Sequence, residues 1–289
     1  MSVQTSSARD TSVGSSMHHA GLSRYIVIGG VAFLLFVAAF GPLVAPYDPF
    51  HNDLTVTYQP PSSDHWFGTD ALGRDQLSRL VLGTRTSLMT AFVAVAIGLV
   101  IGGPLGVVAG FRRGWIDALL SRVIDGMLAV PALMLALTVI AVLGPGLRNA
   151  TIVIGILIVP WFFRVARAAT LDVSQETYID ASISVGCSKW RLLLRHVVPN
   201  IASPLLVQVS LSLGLAVIIE ASLSFLGLGV RPPDPSWGGM LQEAAQRLDI
   251  GYLIWPPGLA LVFTIGIFTL LSDAVRDSLG ASGGRASGA

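Results

Sequence analysis

Tyr178-Ile179-Asp180-Ala181-Ser182, then Gly186, then Arg195-His196-Val197-Val198-Pro199 mark a polar, helix-patterned stretch between two long apolar segments. Thr177 with Asp180 three residues on has the form of a capping box. Asp180 also complements the positive start of a helix. Ala181 and Ser182 are small, so another surface can approach the backbone. Ile179, Ile183 and Val185 supply apolar contacts, and Gly186 ends the first helix in a left-handed conformation. Ser188 is a candidate cap for a second helix through Trp190, Leu193, Leu194 and Val197, and Pro199 starts the next apolar segment. A loop between membrane spans has no need to look like a folded helical elbow. This one reads either as a docking surface for something outside the bilayer or as an interfacial helix on lipid headgroups.

The flanking segments set the class. The 289-residue chain is 53% hydrophobic and 12% charged, with a mean hydropathy of +0.70. Soluble domains carry about 25% charged residues. A hydrocarbon core takes about 20 apolar residues per helix, and on that measure six spans are expected, near 25–45, 86–110, 123–143, 150–166, 199–228 and 252–273. The predicted fold is an all-α polytopic membrane protein. The first span is too long for a signal-peptide core, and Pro46-Tyr47-Asp48-Pro49 follows it rather than a clear small-residue cleavage site. Residues 1–24 read as a disordered tail, 46–85 as an external segment with a short polar helix, 86–280 as the core with the elbow loop at 172–198, and 281–289 as a second loose tail. A net charge of +1 provides no global field for nucleic acid, and the single cysteine, Cys187, excludes an internal disulfide.

Orientation follows from basic residues in short loops. Twelve fall on one side (Arg9, Arg24, Arg112, Arg113, Arg122, Arg164, Arg167, Lys189, Arg191, Arg195, Arg276 and Arg285) and six on the other (Arg74, Arg79, Arg85, Arg148, Arg231 and Arg247). The first side, with the elbow and both termini, is expected to face the cytoplasm. Within the second span Gly98, Gly102, Gly106 and Gly110 recur every four residues and form a small-residue stripe suited to close helix packing. A face that slides between states is the sharper alternative. Pro131 and Pro160 are expected to kink spans three and four.

Glu220 is the sole acid well inside an apolar span, which makes it a functional candidate by default. It either lines a substrate path or hydrogen-bonds a neighbouring helix near the outer face, and the structural role is favoured because a path for varied cargo avoids one strong charge contact. In the external segment, Gly68 and Gly73 read as turns around the short polar helix, and Asp70, Arg74, Asp75 and Arg79 are placed to pair among themselves. Pro232, Pro233 and Pro235 stiffen the second external loop, with Trp237 expected at the membrane interface. No Gly-x-x-x-x-Gly-Lys-Ser/Thr phosphate loop, His-Glu-x-x-His zinc motif or nucleophile elbow occurs, so neither a P-loop site for ATP nor intrinsic catalysis is expected.

The elbow resembles the EAA loop of ABC importer permeases: Glu-Ala-Ala, three residues, Gly, nine residues, Ile, one residue, Leu-Pro. Here Asp180-Ala181-Ser182, Gly186, His196 and Val198-Pro199 keep that spacing with four changed identities. Two further stretches, His65-Trp66-Phe67-Gly68-Thr69-Asp70-Ala71-Leu72-Gly73-Arg74-Asp75 and Glu220-Ala221-Ser222-Leu223-Ser224-Phe225-Leu226-Gly227-Leu228-Gly229 with Pro232 to Gly238, resemble the second, C-type permease of dipeptide and oligopeptide importers. The resemblance covers about residues 25–280 and implies a type I importer permease fold. It also implies a cytoplasmic coupling helix at 177–188, with Tyr178, Asp180, Ala181, Ser182, Gly186 and Pro199 as ATPase-coupling positions. The implied partners are a homologous second permease, two ATP-binding subunits or one fused ATPase, an external substrate-binding protein and a peptide substrate, in a bacterial cytoplasmic membrane. No cofactor is implied in this chain, since ATP and Mg belong to the ATPase subunits. Nickel and glutathione importers share the group. An ion-coupled carrier is the rival class, but it calls for more intramembrane ionisable groups and inverted repeats.

Overall fold

The computed structural model describes the backbone of residues 10–286 and the side chains of 25–279 other than Asp180, Ala181 and Ile183. The chain is mostly helical over this range, apart from the long connections at 45–75 and 226–236: α1 (Asp10–Val44), α2 (Gln76–Arg112), α3 (Gly114–Ala129), α4 (Ala132–Leu143), α5 (Leu147–Val173), α6 (Thr177–Ser184), α7 (Lys189–Leu192), α8 (Val198–Phe225), α9 (Trp237–Ala245) and α10 (Trp255–Ala286). Among the described residues five helices are long and apolar enough to span a membrane, or six if α3 and α4 form one bent span. An α-helix satisfies its own backbone hydrogen bonds, which is what a lipid environment demands.

Several boundaries differ from the sequence expectation. Helix α1 begins at Asp10, inside the segment expected as a disordered tail, and α10 continues to Ala286, past the expected boundary at 280. Once a span has nucleated a helix, each further residue adds a hydrogen bond without a new nucleation cost. Residues 1–9 and 287–289 of the two expected tails lie outside the described residues. Helix α2 starts at Gln76, ten residues before the expected span, because Asp75 caps it: its carboxylate accepts from the Ser78 backbone N–H at 2.8 Å and the Ser78 hydroxyl at 2.8 Å.

The expected third span is not a kinked rod. Helices α3 and α4 meet at 91°. The residue before a proline is pushed out of the helical region, and Val130 adopts φ −97°, ψ 132°, with Pro131 opening α4. Pro160 behaves differently, since α5 runs unbroken across it. The span expected to begin at Pro199 also begins earlier: α7, a π-helical turn over Leu193–Val197 and α8 form one continuous run. Proline in a regular helix interior clashes with the carbonyl four residues back, and the wider turn falls directly before Pro199.

The core is organised by α2 and α5, which run parallel. A Cβ on Gly98 would come within 2.8 Å of Ile158 Cγ2, one on Gly102 within 2.5 Å of the Val159 carbonyl, and one on Gly110 within 2.8 Å of the Arg167 carbonyl; at Gly106 it would collide with the Phe163 carbonyl. Gly155 returns the contact against Ile97. The glycine stripe is therefore a packing surface for α5. Helix α8 packs on both, and α1 and α10 close the outside, with Leu34, Ile140, Ile154, Leu223 and Phe268 in one continuous buried cluster. Replacing Gly102 by Val is expected to force α2 and α5 apart and to destabilise the chain by about 1–3 kcal/mol, the usual cost of overpacking. Gly126→Ala is the control, because nothing lies within 4 Å of a Cβ there, and it is expected to be neutral or slightly stabilising. Thermal unfolding of both variants in the same detergent checks this, and equal midpoints would count against the stripe.

Candidate functional site

At the end of α5, Ser174 closes the helix by donating its hydroxyl to the Thr170 carbonyl at 2.6 Å. A tight turn leads to α6, where Thr177 is the first helical residue. It is therefore not the flanking cap that a capping box requires, and the Ile179 N–H donates instead to the Glu176 carbonyl at 2.9 Å. The side chains of Asp180, Ala181 and Ile183 lie outside the described residues. Ser182 donates its hydroxyl to the Tyr178 carbonyl at 2.7 Å. Gly186 has φ +81°, and the Cys187 N–H donates across it to the Ser182 carbonyl at 3.0 Å. Ser188 caps α7 by accepting from the Arg191 N–H. The elbow of helix, left-handed glycine and second helix is thus formed as its sequence pattern anticipates.

Three anchors hold this elbow to the spans. Ile179 is buried. The Tyr178 hydroxyl accepts from Asn200 Nδ2 at 3.1 Å, and the same amide donates to the His196 carbonyl at 2.6 Å, tying α6 to the start of α8. The imidazole of His196 stands 6.2 Å from the Tyr178 ring, centroid to centroid. Leu193 and Val197 pack with Val107 of α2, Ala166 of α5 and Ile201 of α8 in a separate apolar cluster. The tip, by contrast, is free of packing: Val185 is 84% exposed and nothing lies within 4 Å of a Cβ built on Gly186. Pro199, one residue into α8, sits in the continuous helical run rather than at the tip.

The other end of the molecule carries a closed polar cap. The expected short polar helix between Gly68 and Gly73 is absent. Both glycines have positive φ, and Thr69 pairs with Asp75 in an isolated antiparallel bridge. The physical cause is Asp70, whose carboxylate accepts from the backbone N–H groups of Leu72 at 2.8 Å and Arg74 at 3.0 Å, a local alternative that competes with helix. Arg74 Nε donates to Asp70 at 2.6 Å, while Arg79 reaches Glu243 of α9 at 3.0 Å and approaches Asp70 at 3.4 Å. Arg79 is only 2% exposed. His65 Nδ1 meets Asp75 at 2.9 Å. The expected pairing among Asp70, Arg74 and Arg79 is present, but Asp75 serves as helix cap and histidine partner. Glu243, which the sequence reading missed, completes the network. Its only signal was an acid on a short helix beyond the proline-rich loop. Farther out, Arg247 stacks over the Tyr58 ring at 4.6 Å and its guanidinium, hydrogen-bonded to Asp249, holds that carboxyl below the usual range.

Trp237 is not at the interface. It is 1% exposed, its indole N–H donates to the Leu80 carbonyl at 3.3 Å, and its backbone N–H faces Ser87 Oγ at 3.4 Å. Gly238 permits this seating because a Cβ there would strike the Ala221 carbonyl, and burying an indole is favourable once its N–H has a partner. Pro233 is exposed. Glu220 is 1% exposed; its Oε1 accepts from the Ser224 hydroxyl at 2.7 Å, Ser87 and Ser236 lie near the carboxyl, and Oε2 is buried with no hydrogen-bond partner among the described residues. It therefore sits where α8, α2 and the start of α9 converge. Toward the elbow end, Asp125 pairs with Arg164 at 2.9 Å and Asp117 with Arg167 at 2.7 Å, bracing α3 against α5. No group of three or more metal-binding side chains occurs among the described residues.

Residues 102–282 match the family of binding-protein-dependent transport system inner membrane components, and residues 26–61 match the N-terminal transmembrane domain of oligopeptide transport permease C. The chain belongs to this family and is a permease subunit of the ABC importer type. It is 40% identical over 251 residues to the glutathione transport system permease protein GsiD of Pectobacterium atrosepticum, covering 86% of this chain and 83% of that one. It is 40% identical over 250 residues to the probable D,D-dipeptide transport system permease protein DdpC of Escherichia coli, covering 86% and 84%. It is 38% identical over 250 residues to the dipeptide transport system permease protein DppC of Alkalihalophilus pseudofirmus, covering 86% and 82%. A solved structure titled as inward-facing conformations of the MetNI methionine ABC transporter superposes with a TM-score of 0.59 at 19% identity, covering 69% of this chain and 95% of that one, a likeness of fold. The chain is thus a multi-span membrane protein that resembles pore subunits rather than enzymes.

The polar cap supplies a direct test of stability. Asp70→Asn leaves Arg74 and Arg79 with one carboxylate, that of Glu243, between them, and removal of one partner from a buried ion pair costs about 3–5 kcal/mol. A fall in unfolding midpoint much larger than that of Asp249→Asn, whose pair is exposed, is the expected result. Equal small shifts would show the cap to be solvated.

Proposed function

We propose that this chain forms half of the translocation pore of an ATP-driven peptide importer and receives force through the elbow of α6, Gly186 and α7. The observation that carries the proposal is mechanical. The elbow exposes a tip at Val185 and Gly186 while Ile179, Tyr178 and Leu193 fasten its base to α2, α5 and α8. A surface built that way passes a push from outside into the packed spans. Tyr178 is an anchor, Asp180, Ala181 and Ser182 form the docking face, Gly186 sets the reversal, and Pro199 with the π-helical turn aims α8. ATP and Mg are bound by two ATP-binding subunits or one fused ATPase. A homologous second permease supplies the other half of the pore, and an external substrate-binding protein delivers cargo to the face bearing the Arg79 cap and the Pro233 loop. The elbow and both termini face the cytoplasm, following the distribution of basic residues. The kinship to both dipeptide and glutathione permeases supports short peptides as the cargo class, with glutathione as the second reading.

Glu220 acts in this scheme as a structural junction rather than a substrate contact. Its carboxyl is held by Ser224 on the same helix, lies near Ser87 and Ser236, and is withdrawn from any open surface.

Three measurements test the scheme. A cysteine placed at Ala181 is expected to crosslink to the co-purifying ATPase, and absence of any proximity in every nucleotide state removes the docking claim. Gly186→Ala is strained by φ and not by space, so it is expected to cost roughly 1 kcal/mol and leave transport largely intact. Gly186→Val, β-branched at the same φ, is expected to leave ATP hydrolysis running while uptake of labelled dipeptide by proteoliposomes drops; full uptake by an assembled Val variant would refute the coupling role. Glu220→Gln retains an acceptor for Ser224 and is expected to transport normally, whereas Glu220→Leu is expected to unfold at lower temperature. A change in peptide selectivity in the Gln variant would assign Glu220 to the path instead.

A further inference from the structure

The inner ends of α2, α6 and α7 enclose a cleft of about 850 Å³, within the roughly 300–1,000 Å³ of small-molecule sites. Its floor is apolar and its rim is cationic. Phe111, Ile179 and Leu192 line the floor, and the last two are buried. The exposed side chains of Arg112, Arg113 and Lys189 line the rim. No acidic side chain lines the cleft among the described residues. Asp172 and Glu176 flank Ser174 in sequence but are not part of its wall.

The three cations are also unlike their neighbours. Arg164 and Arg167, toward the same side of the protein, are matched to Asp125 and Asp117. Arg112, Arg113 and Lys189 have no ion-pair partner among the described residues. Arg113 in addition has φ +52°, a conformation uncommon outside glycine. Glycine would relax that corner, yet the chain places a long cation there. Trp190, 69% exposed, stands on the same cleft, and indoles favour the headgroup level of a membrane.

An apolar trough with three positive charges at its mouth, unpaired among the described residues, fits an amphiphile with a negative head. We propose that the cleft holds one anionic phospholipid, its phosphate against Arg112, Arg113 and Lys189 and an acyl chain along Phe111, Ile179 and Leu192. Basic pockets between membrane helices collect anionic headgroups in this way. Because α6 and α7 form one wall, the lipid braces the base of the elbow. The inference rests on the spans being in a membrane and not on ATPase docking.

Cys187, the only cysteine of the chain, lines the cleft and reports on its occupancy. The full-length chain, purified with its partner subunits, is placed in nanodiscs of pure phosphatidylethanolamine or of phosphatidylethanolamine with phosphatidylglycerol. Alkylation of Cys187 by N-ethylmaleimide, a neutral reagent that surface potential does not concentrate, is followed by peptide mass spectrometry. Phosphatidylglycerol is expected to slow the reaction. Lys189→Gln is expected to weaken that protection about fivefold, the effect of one basic residue near an anionic lipid surface, while Arg191→Gln, outside the cleft, leaves it unchanged. Equal alkylation rates of the wild-type chain in the two lipids overturn the proposal, whether Cys187 is open in both or shielded in both by another subunit. The wild-type comparison stands even where a variant fails to assemble. Loss of crosslinking at Ala181 with lipid-dependent protection intact would remove the docking claim and leave this one.

Discussion

The backbones of α2 and α5 touch. Lipid offers no hydrophobic drive for one apolar helix to join another, so association depends on close packing and on polar contacts. Four glycines at four-residue spacing let α5 press its carbonyls and side chains directly onto α2. Everything else is mounted on that parallel pair. The N-terminal end of α2 is the capped platform of Asp75, Ser78 and Arg79, and the C-terminal end of α5 leads into the elbow. A displacement applied to α6 reaches α5 first and cannot be absorbed by a loose interface, because there is no gap at the glycine stripe to close.

Charge is handled differently at the two ends. At the end far from the elbow, Asp70, Arg74, Arg79 and Glu243 pair with one another across α2, α9 and the segment before α2. Such a network holds two distant stretches of chain in one geometry and does so without a partner. At the elbow end Arg112, Arg113 and Lys189 have no ion-pair partner among the described residues and line a cleft, and the elbow tip is left unpacked. The capped end pairs its buried charges within the chain, whereas the elbow end leaves a cleft and a tip open. That asymmetry accords with the proposed roles of the two faces.

The spans, the elbow and the glycine stripe were legible because each rests on local rules. Twenty apolar residues make a span whatever surrounds them, and a glycine at four-residue spacing marks the same helix face wherever that helix docks. Asp70 with Arg74, four apart, was legible as a pair for the same reason. Trp237 misled because an amphipathic indole suits either an interface or a buried niche with a carbonyl acceptor, and the niche is assembled from Leu80, Ser87 and Gly238, far apart in sequence. Glu243 was invisible as a partner of Arg79 because 164 positions separate them. The polar helix expected between Gly68 and Gly73 failed at short range, where the Asp70 carboxylate captured two backbone N–H groups that a helix would have used.

Pro131 and Pro160 show the division most simply. The sequence by itself determined that each removes a backbone donor from an apolar helix, and that the chain is a multi-span helical membrane protein with a folded elbow between its fourth and fifth spans. Tertiary structure alone decided that α3 and α4 part at 91° while α5 continues across its proline. Pro160 is buried within the packed bundle, where neighbouring helices hold α5 on both sides of the lost hydrogen bond, whereas most of α3 and α4 is exposed and Val130 is free to leave the helix. The covalent restriction is the same at both prolines, and the surrounding contacts set the outcome.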